Sequence, residues 1–393
     1  MKFLFPFFFS LFFISCEYED GENSDDWDTV STKKEYVLFS TTDSTELVNR
    51  ETAIIEKSWK SENPVIVSAF TTRSAFAYYS NYDPMLYRGV RTEKTNFEQN
   101  GNFDKIELYD LEGNLRWEYQ ISPSNYSFHG NIYPLDNGDI LIQGWERVSN
   151  EELYQLGRLH AGLPEGGYTI LERIVELRPN ITNGSTKVIW EWNLKNELIQ
   201  DKYLSDSNYV ANPLLSNSLD INHHAVESGV DWAGTEAMAF NEDRDHMAFY
   251  FKNFGVVSIV DRESGNFIFK QNVDNEIISL NWKNDLIGLL QTEQTKVTVE
   301  NLETTYTGGK YIEDSLQRNK QLTIKNMPEE VSFDFDTDGD KSYMIVDRNY
   351  NKSWKIEYNE VSYKTWSWEK VWELQNNSNV NNAKIYWSDE LGF

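Results

Sequence analysis

A short unit keeps returning along this chain: a polar turn, then a strand that ends in a large aromatic ring. It reads Asp110-Leu111-Glu112-Gly113-Asn114-Leu115-Arg116-Trp117-Glu118-Tyr119, and returns as Gly184 to Trp192, as Asp261 to Phe269 and, more loosely, as Tyr363 to Trp372; Glu51 to Trp59 is an earlier copy. Second hairpins with tight polar turns lie between these copies, as in Tyr133 to Ile142, Phe240 to Phe249 and Phe333 to Val346. Two hairpins per period make a four-stranded sheet, and repeated sheets closed into a ring remove most exposed edges. The markers Trp59, Trp117, Trp190 and Phe269 stand 58, 73 and 79 residues apart, with Trp372 another 103 on. Such spacing fits a blade plus insertions, with one marker missed in the last interval. The expected architecture is all-β, a β-propeller of six blades over residues 36–393; a pair of β-sandwiches is the runner-up.

Composition agrees with strands. The chain carries 22 Phe, 22 Tyr and 13 Trp against 9 Pro, and rings pack well on pleated surfaces. No long stretch from Tyr36 onward keeps a 3.6-residue apolar period. With 36 Lys+Arg against 63 Asp+Glu, the net charge of −27 argues against nucleic acid as a partner, because an acidic surface repels phosphate.

The N-terminus supplies an address. Met1-Lys2 followed by the apolar run Phe3 to Ile14 has the charge and length of a secretory leader and is too short to span a bilayer. It ends in Phe13-Ile14-Ser15-Cys16, which resembles the lipobox of a bacterial lipoprotein, with Cys16 as the lipidated residue. Cys16 is the only cysteine, so no intramolecular disulfide can form. Residues 1–15 are therefore expected to be a signal peptide and 16–35 an acidic tether, beginning Glu17-Tyr18-Glu19-Asp20-Gly21-Glu22. An acidic stretch after the lipid cysteine resembles the surface-export signal of Bacteroidota lipoproteins. That resemblance implies an outer-membrane lipoprotein displayed at the surface, with the periplasmic face as the alternative and the lipid as the sole membrane contact.

Two stretches resemble the bacterial arylsulfotransferase family, six-bladed periplasmic propellers that move a sulfuryl group between phenols through a histidine in the central funnel. The first runs Tyr126-Ser127-Phe128-His129-Gly130, Pro134 to Asp139, Trp145-Glu146 and Leu156-Gly157-Arg158. The second is Val188-Ile189-Trp190-Glu191-Trp192, Glu197 to Asp201, Asn208-Tyr209, Leu219 to Asn222 and Asp231-Trp232. The resemblance implies a funnel site containing His129, with Tyr126, Trp145, Arg158, Asp231, Trp232 and Lys252 as binding residues, and a phenolic, sulfated or glycan small molecule as ligand.

The same resemblance counts against catalysis. Where the family has two adjacent histidines, this chain keeps only His129; after Asp231-Trp232, the family's histidine and asparagine are replaced by Gly234 and Glu236. The late histidine that becomes sulfated has no counterpart, since the five histidines are His129, His160, His223, His224 and His246. Sulfuryl transfer needs a nucleophile, groups that stabilise charge on the sulfate oxygens, and an acid or base for the phenol. A carboxylate at Glu236 would repel the sulfate.

Other motifs read as structure. His223-His224 with Asp220 or Glu227 could form a metal site only in a loop, because neighbours on a strand point to opposite faces. His160 and His246 read as surface residues. Asp334 to Asp340 begins like a calcium loop, but position twelve is Ile345 rather than Glu, so a hairpin turn is the better reading. Gly308-Gly309-Lys310 lacks the rest of a phosphate loop. No metal and no cofactor is expected. Two functions remain: a lipid-tethered binding or scaffold propeller without sulfuryl transfer, or an active transferase with a site rearranged from His129, His223, His224 and either Arg158 or Lys252.

Overall fold

The computed structural model describes residues 34–72, 75–76, 83–92, 97, 101–121, 124–223, 230–283, 286–293, 296–303, 306–307, 310–311, 317–325, 331–335, 342–347, 352–362, 365–375 and 380–391. Lys34–Phe393 is one compact unit. Residues 1–33, which include the expected leader, Cys16 and most of the expected tether, lie outside the described residues.

The chain is an all-β propeller. Its first sheet contains β1 (Glu35–Thr41), β2 (Ser44–Asn49) and β3 (Ile55–Lys60). The second is β4 (Val65–Phe70), β5 (Leu86–Val90), β6 (Lys105–Tyr109) and β7 (Leu115–Gln120). The third is β8 (Tyr126–Pro134), β9 (Ile140–Ser149), β10 (Tyr168–Pro179) and β11 (Thr186–Asn193). The fourth is β12 (Thr235–Asn241), β13 (His246–Phe251), β14 (Val256–Asp261) and β15 (Phe267–Asn272). The fifth joins β16 (Glu276–Lys283), β17 (Leu286–Glu293) and β18 (Lys296–Glu303) to β21 (Gln317–Lys325), after the small hairpin β19 (Tyr306–Thr307) and β20 (Lys310–Tyr311). The sixth is β22 (Val331–Phe335), β23 (Ser342–Asp347), β24 (Lys352–Ser362) and β25 (Thr365–Gln375). The last strand, β26 (Val380–Trp387), returns to pair with β1 and completes the first sheet. The inner strands touch in the cyclic order β26, β4, β8, β12, β16, β22 and back to β26. This ring of sheets replaces the sandwich reading.

The core lies between sheets. Along β13, Met247, Phe249 and Phe251 face the third sheet, while Ala248 and Tyr250 face the fifth. Because both faces are covered, the strand His-Met-Ala-Phe-Tyr-Phe is buried throughout and shows no apolar/polar alternation. This also corrects the surface reading of His246. It is 2% exposed, and burial lowers its pKa against the opposing charge of Asp261. His160 is exposed, as expected.

The repeated aromatics have a mechanical role. Trp117 on β7 donates its indole N–H to Thr186 Oγ1 at 3.1 Å, in the opening of the next sheet's last strand. Trp192 on β11 donates to the Gly265 carbonyl at 2.8 Å, again across to the next sheet. A Cβ at Gly113 would stand 3.8 Å from the Trp59 ring, the same relation one sheet earlier. The turn and the ring of each copy therefore belong to neighbouring contacts. In the third sheet the residue that does this is Trp192 rather than the expected marker Trp190, which lies 5.5 Å from the Arg262 guanidinium. The long interval before Trp372 holds a further four-stranded sheet ending in β21, whose outer strand carries no such ring in its sequence.

Candidate functional site

A β-bulge creates the centre of the site. Phe128 pairs with Gly144 and Ile132 with Ile142, so His129, Gly130 and Asn131 stand opposite Gln143 alone. Gly130 has φ +65°, and a Cβ there would meet Gln143 Oε1 at 2.2 Å. A bulge re-aims the side chain beside it. Here it lets both Phe128 and His129 turn into the structure; they are 1% and 6% exposed.

The imidazole is held at one nitrogen and on one face. His129 Nε2 lies 3.1 and 3.2 Å from the two carboxylate oxygens of Glu172 on β10. The ring stacks on Trp145 of β9 at 3.8 Å between centroids and 11° between planes. Trp145 and Glu172 are register partners, so one pair of facing positions supplies both contacts. Trp145 also packs with Phe97 and Ile170.

Asp231 joins this group from the segment before β12. It bridges Ile170 of β10 in parallel fashion, and its carboxylate accepts the Gly234 N–H at 3.1 Å and the Thr235 N–H at 2.7 Å. The residue as a whole is half-buried, but its carboxylate points inward. Burial is the main reason its pKa is pushed up to about 7, and the charge on Glu172 adds to the rise. His129 and the two amides pull the other way. Two carboxylates and one imidazole from three elements thus meet on the seam between the third and fourth sheets.

The other expected residues form separate groups. Trp232 is buried and packs edge-on against Phe254 at 5.3 Å. The Arg158 guanidinium lies 5.8 Å from the Trp232 ring, and His223 stacks on Phe254 at 4.8 Å. Arg158 is 2% exposed and donates to the carbonyls of Gly162 and Ile221; burial lowers its pKa, opposed by Asp220. Lys252 is exposed and pairs with Glu236 at 3.3 Å and with Glu276. Hydrogen bonding to Glu276 is the largest cause of its raised pKa. Tyr126 lies under the Arg173 guanidinium at 4.3 Å. Arg173 also forks onto Glu191 at 2.9 and 3.0 Å.

All these groups lie at one end of the ring. Tyr126 and His129 open β8, Trp145 is late in the returning β9, Glu172 is early in β10, Asp231 and Trp232 precede β12, and Lys252 leaves β13. Nearer the centre, Lys384 of β26 donates to the Ile132 carbonyl of β8 at 3.3 Å and lies 5.7 Å from the Tyr133 ring. Tyr133 Oη donates to the Met238 carbonyl of β12 at 2.7 Å.

The sequence reading missed Glu172. Its signal is the run Ile170, Glu172, Ile174, Glu176, in which acidic residues alternate with isoleucines on a strand whose residues are mostly buried. His224 and Glu227 lie outside the described residues, as do Asp336 to Asp340 and Gly308-Gly309. Among the described residues there is no group of three or more His, Cys, Asp or Glu that could hold a metal ion. Among them, too, no helix is long and apolar enough to cross a membrane.

The fold and site together define a β-propeller with a buried imidazole–carboxylate cluster at one end. No family model and no curated protein matches the chain. Similar solved structures include a Bacteroides caccae protein of unknown function, with 8% identity, coverage of 90% of this chain and 98% of that one, and a TM-score of 0.43. Kluyveromyces lactis Hsv2 follows at 9% identity, 86% and 95% coverage and a TM-score of 0.42. The Cps50 (Swd1) β-propeller domain of Myceliophteria thermophila has 11% identity, 89% and 82% coverage and a TM-score of 0.45.

Proposed function

We propose that this chain is a lipid-tethered, six-bladed propeller of the arylsulfotransferase type that binds a ligand and does not transfer sulfate. The observation that carries the reading is the engagement of His129. A nucleophilic imidazole must present a nitrogen lone pair to the incoming sulfur. In His129 the Nε2 edge faces both oxygens of Glu172 and one ring face is covered by Trp145, so only Nδ1 is left to offer a lone pair, in a residue that is 6% exposed. Nearby, Glu236 occupies the place of the family's amide and is bound to Lys252.

The functions left to this end of the ring are recognition and scaffolding. A phenolic or glycan small molecule is the ligand class the resemblance implies, with the half-buried Tyr126 as the ring at the surface to meet it. The leader and Cys16 support an outer-membrane lipoprotein displayed at the surface.

Incubating the purified protein with p-nitrophenyl sulfate and a phenol acceptor tests the main reading; no release of p-nitrophenol above background is expected. Turnover that disappears in His129→Gln would overturn it. The anchor is tested separately: Cys16→Ala should move the protein from the membrane to the soluble fraction.

A further inference from the structure

A long excursion separates β11 from β12, and among the described residues more than half of the exposed large apolar side chains are on it or beside it. Leu204 is 77% exposed, and Leu214 and Leu215 are each 85% exposed. Tyr203, Val230 and the adjoining Leu159 are exposed to a lesser degree. Leu159 is tied to the excursion, its N–H donating to Asn222 Oδ1 at 3.0 Å.

The excursion is built rather than loose. Ile199 bridges Asp220, and Gln200 bridges Tyr209. Leu198, Leu219 and Ile221 are buried in the core between the third and fourth sheets. Two tips rise from this base. One carries Leu204, and the other is the turn Pro213–Leu215, whose Asn212 cap accepts the Leu214 N–H.

We propose that these tips dock one end of the ring onto a lipid bilayer by inserting Leu204, Leu214 and Leu215. Three observations select lipid. First, Ser207 to Leu219, which carries Leu214 and Leu215, contains no charged residue in a chain of net charge −27, so this tip can approach a low-dielectric surface without desolvating carboxylates; at the other tip Leu204 stands between Lys202 and Asp206, a pair of opposite charge. Second, the leucines sit on two separate tips, with the mostly polar stretch Ser205 to Asn208 and the run Tyr209 to Pro213 between them. A stable protein interface takes a continuous, shape-matched surface of about 800 Å² per partner; a fluid bilayer takes each tip independently. Third, the tether is long enough. β1 runs antiparallel to the inner strand β26, so Lys34 begins at the opposite end of the ring from the excursion. Seventeen residues separate Cys16 from Lys34 and span up to about 60 Å when extended. The longest of the described strands, with 12 residues, spans only about 40 Å. Lipid anchor and tips can therefore share one membrane.

The proposal rests on the anchoring reading only for membrane proximity, and its test omits the anchor. Residues 17–393, which include the whole compact unit, are mixed with sucrose-loaded phosphatidylcholine vesicles and sedimented at about 0.1 M and about 1 M NaCl. Binding that persists at high salt is expected. The Leu204→Ser/Leu214→Ser/Leu215→Ser variant should bind at least tenfold more weakly with an unchanged melting temperature. No sedimentation with vesicles, or equal sedimentation of the variant, would overturn the proposal. So would leucine-dependent self-association in sedimentation velocity without vesicle binding, which would show a second copy to be the occupant. Failure of the anchor is read elsewhere, in the membrane fractionation of Cys16→Ala.

Discussion

His129 Nε2 faces both carboxylate oxygens of Glu172, at 3.1 and 3.2 Å, with both residues buried. Removing one partner strands the other. His129→Ala should cost about 3 to 5 kcal/mol, the range for leaving a buried charge uncompensated, together with the lost stacking on Trp145. The double variant His129→Ala/Glu172→Gln should lose less than His129→Ala and Glu172→Gln combined. Urea denaturation of the four proteins checks this through a double-mutant cycle.

Asp231 makes stability depend on pH. Its folded pKa of about 7 lies above the ordinary value of 3.8, so between these values the folded chain holds a proton that the unfolded chain has released. The stabilising contribution is complete below about pH 4 and is lost as pH rises to about 7, at no more than about 1.4 kcal/mol per pH unit. Asp231→Asn removes the titration while keeping an acceptor for the amides. Denaturation from pH 5 to 8.5 should show a falling midpoint in the native protein and a flatter profile in the variant.

Arg262 ties two sheets together. It binds Asp245 of the fourth sheet and Glu176 of the third, and lies over Trp190. Burial raises the Glu176 pKa, and Arg262 opposes the rise. Arg262→Ala should cost about 1 to 3 kcal/mol, between the values for exposed and buried pairs. Thermal melts should show the difference narrowing at high salt, since the guanidinium is partly solvated.

Trp192 separates packing from hydrogen bonding. Trp192→Phe keeps much of the contact with Phe249 and Phe267 but loses the bond to the Gly265 carbonyl, a cost of about 1 kcal/mol. Trp192→Ala adds a cavity and should cost about 3 to 5 kcal/mol. Equal losses in chemical denaturation would contradict the assignment of the repeated ring as a packing element.

Much of the fold was legible because the ring-and-turn unit is a contact between neighbours and so must recur in every copy that makes it. Trp117 and Gly265 carried that message, while in the third sheet the marker fell on Trp190 and the contact belongs to Trp192. The fifth sheet was harder to read because β21 has no such ring. At the site, His129 and Asp231 could be found from local motifs. Glu172 could not, since its meaning depends on a bulge in β8 and on the register of β9 with β10. His246 was misread because its polar neighbours in sequence are turn residues, while its own strand is covered on both faces.

The pairing of β26 with β1 also sets an order of events. β1 pairs early with β2, but its other edge is covered only once β26 has been made and, for an exported protein, has passed the translocation pore. Until then β1 keeps an open edge, available to strangers. A nascent or prematurely stopped chain therefore has no latch, and quality control would meet it as a row of unsealed sheets.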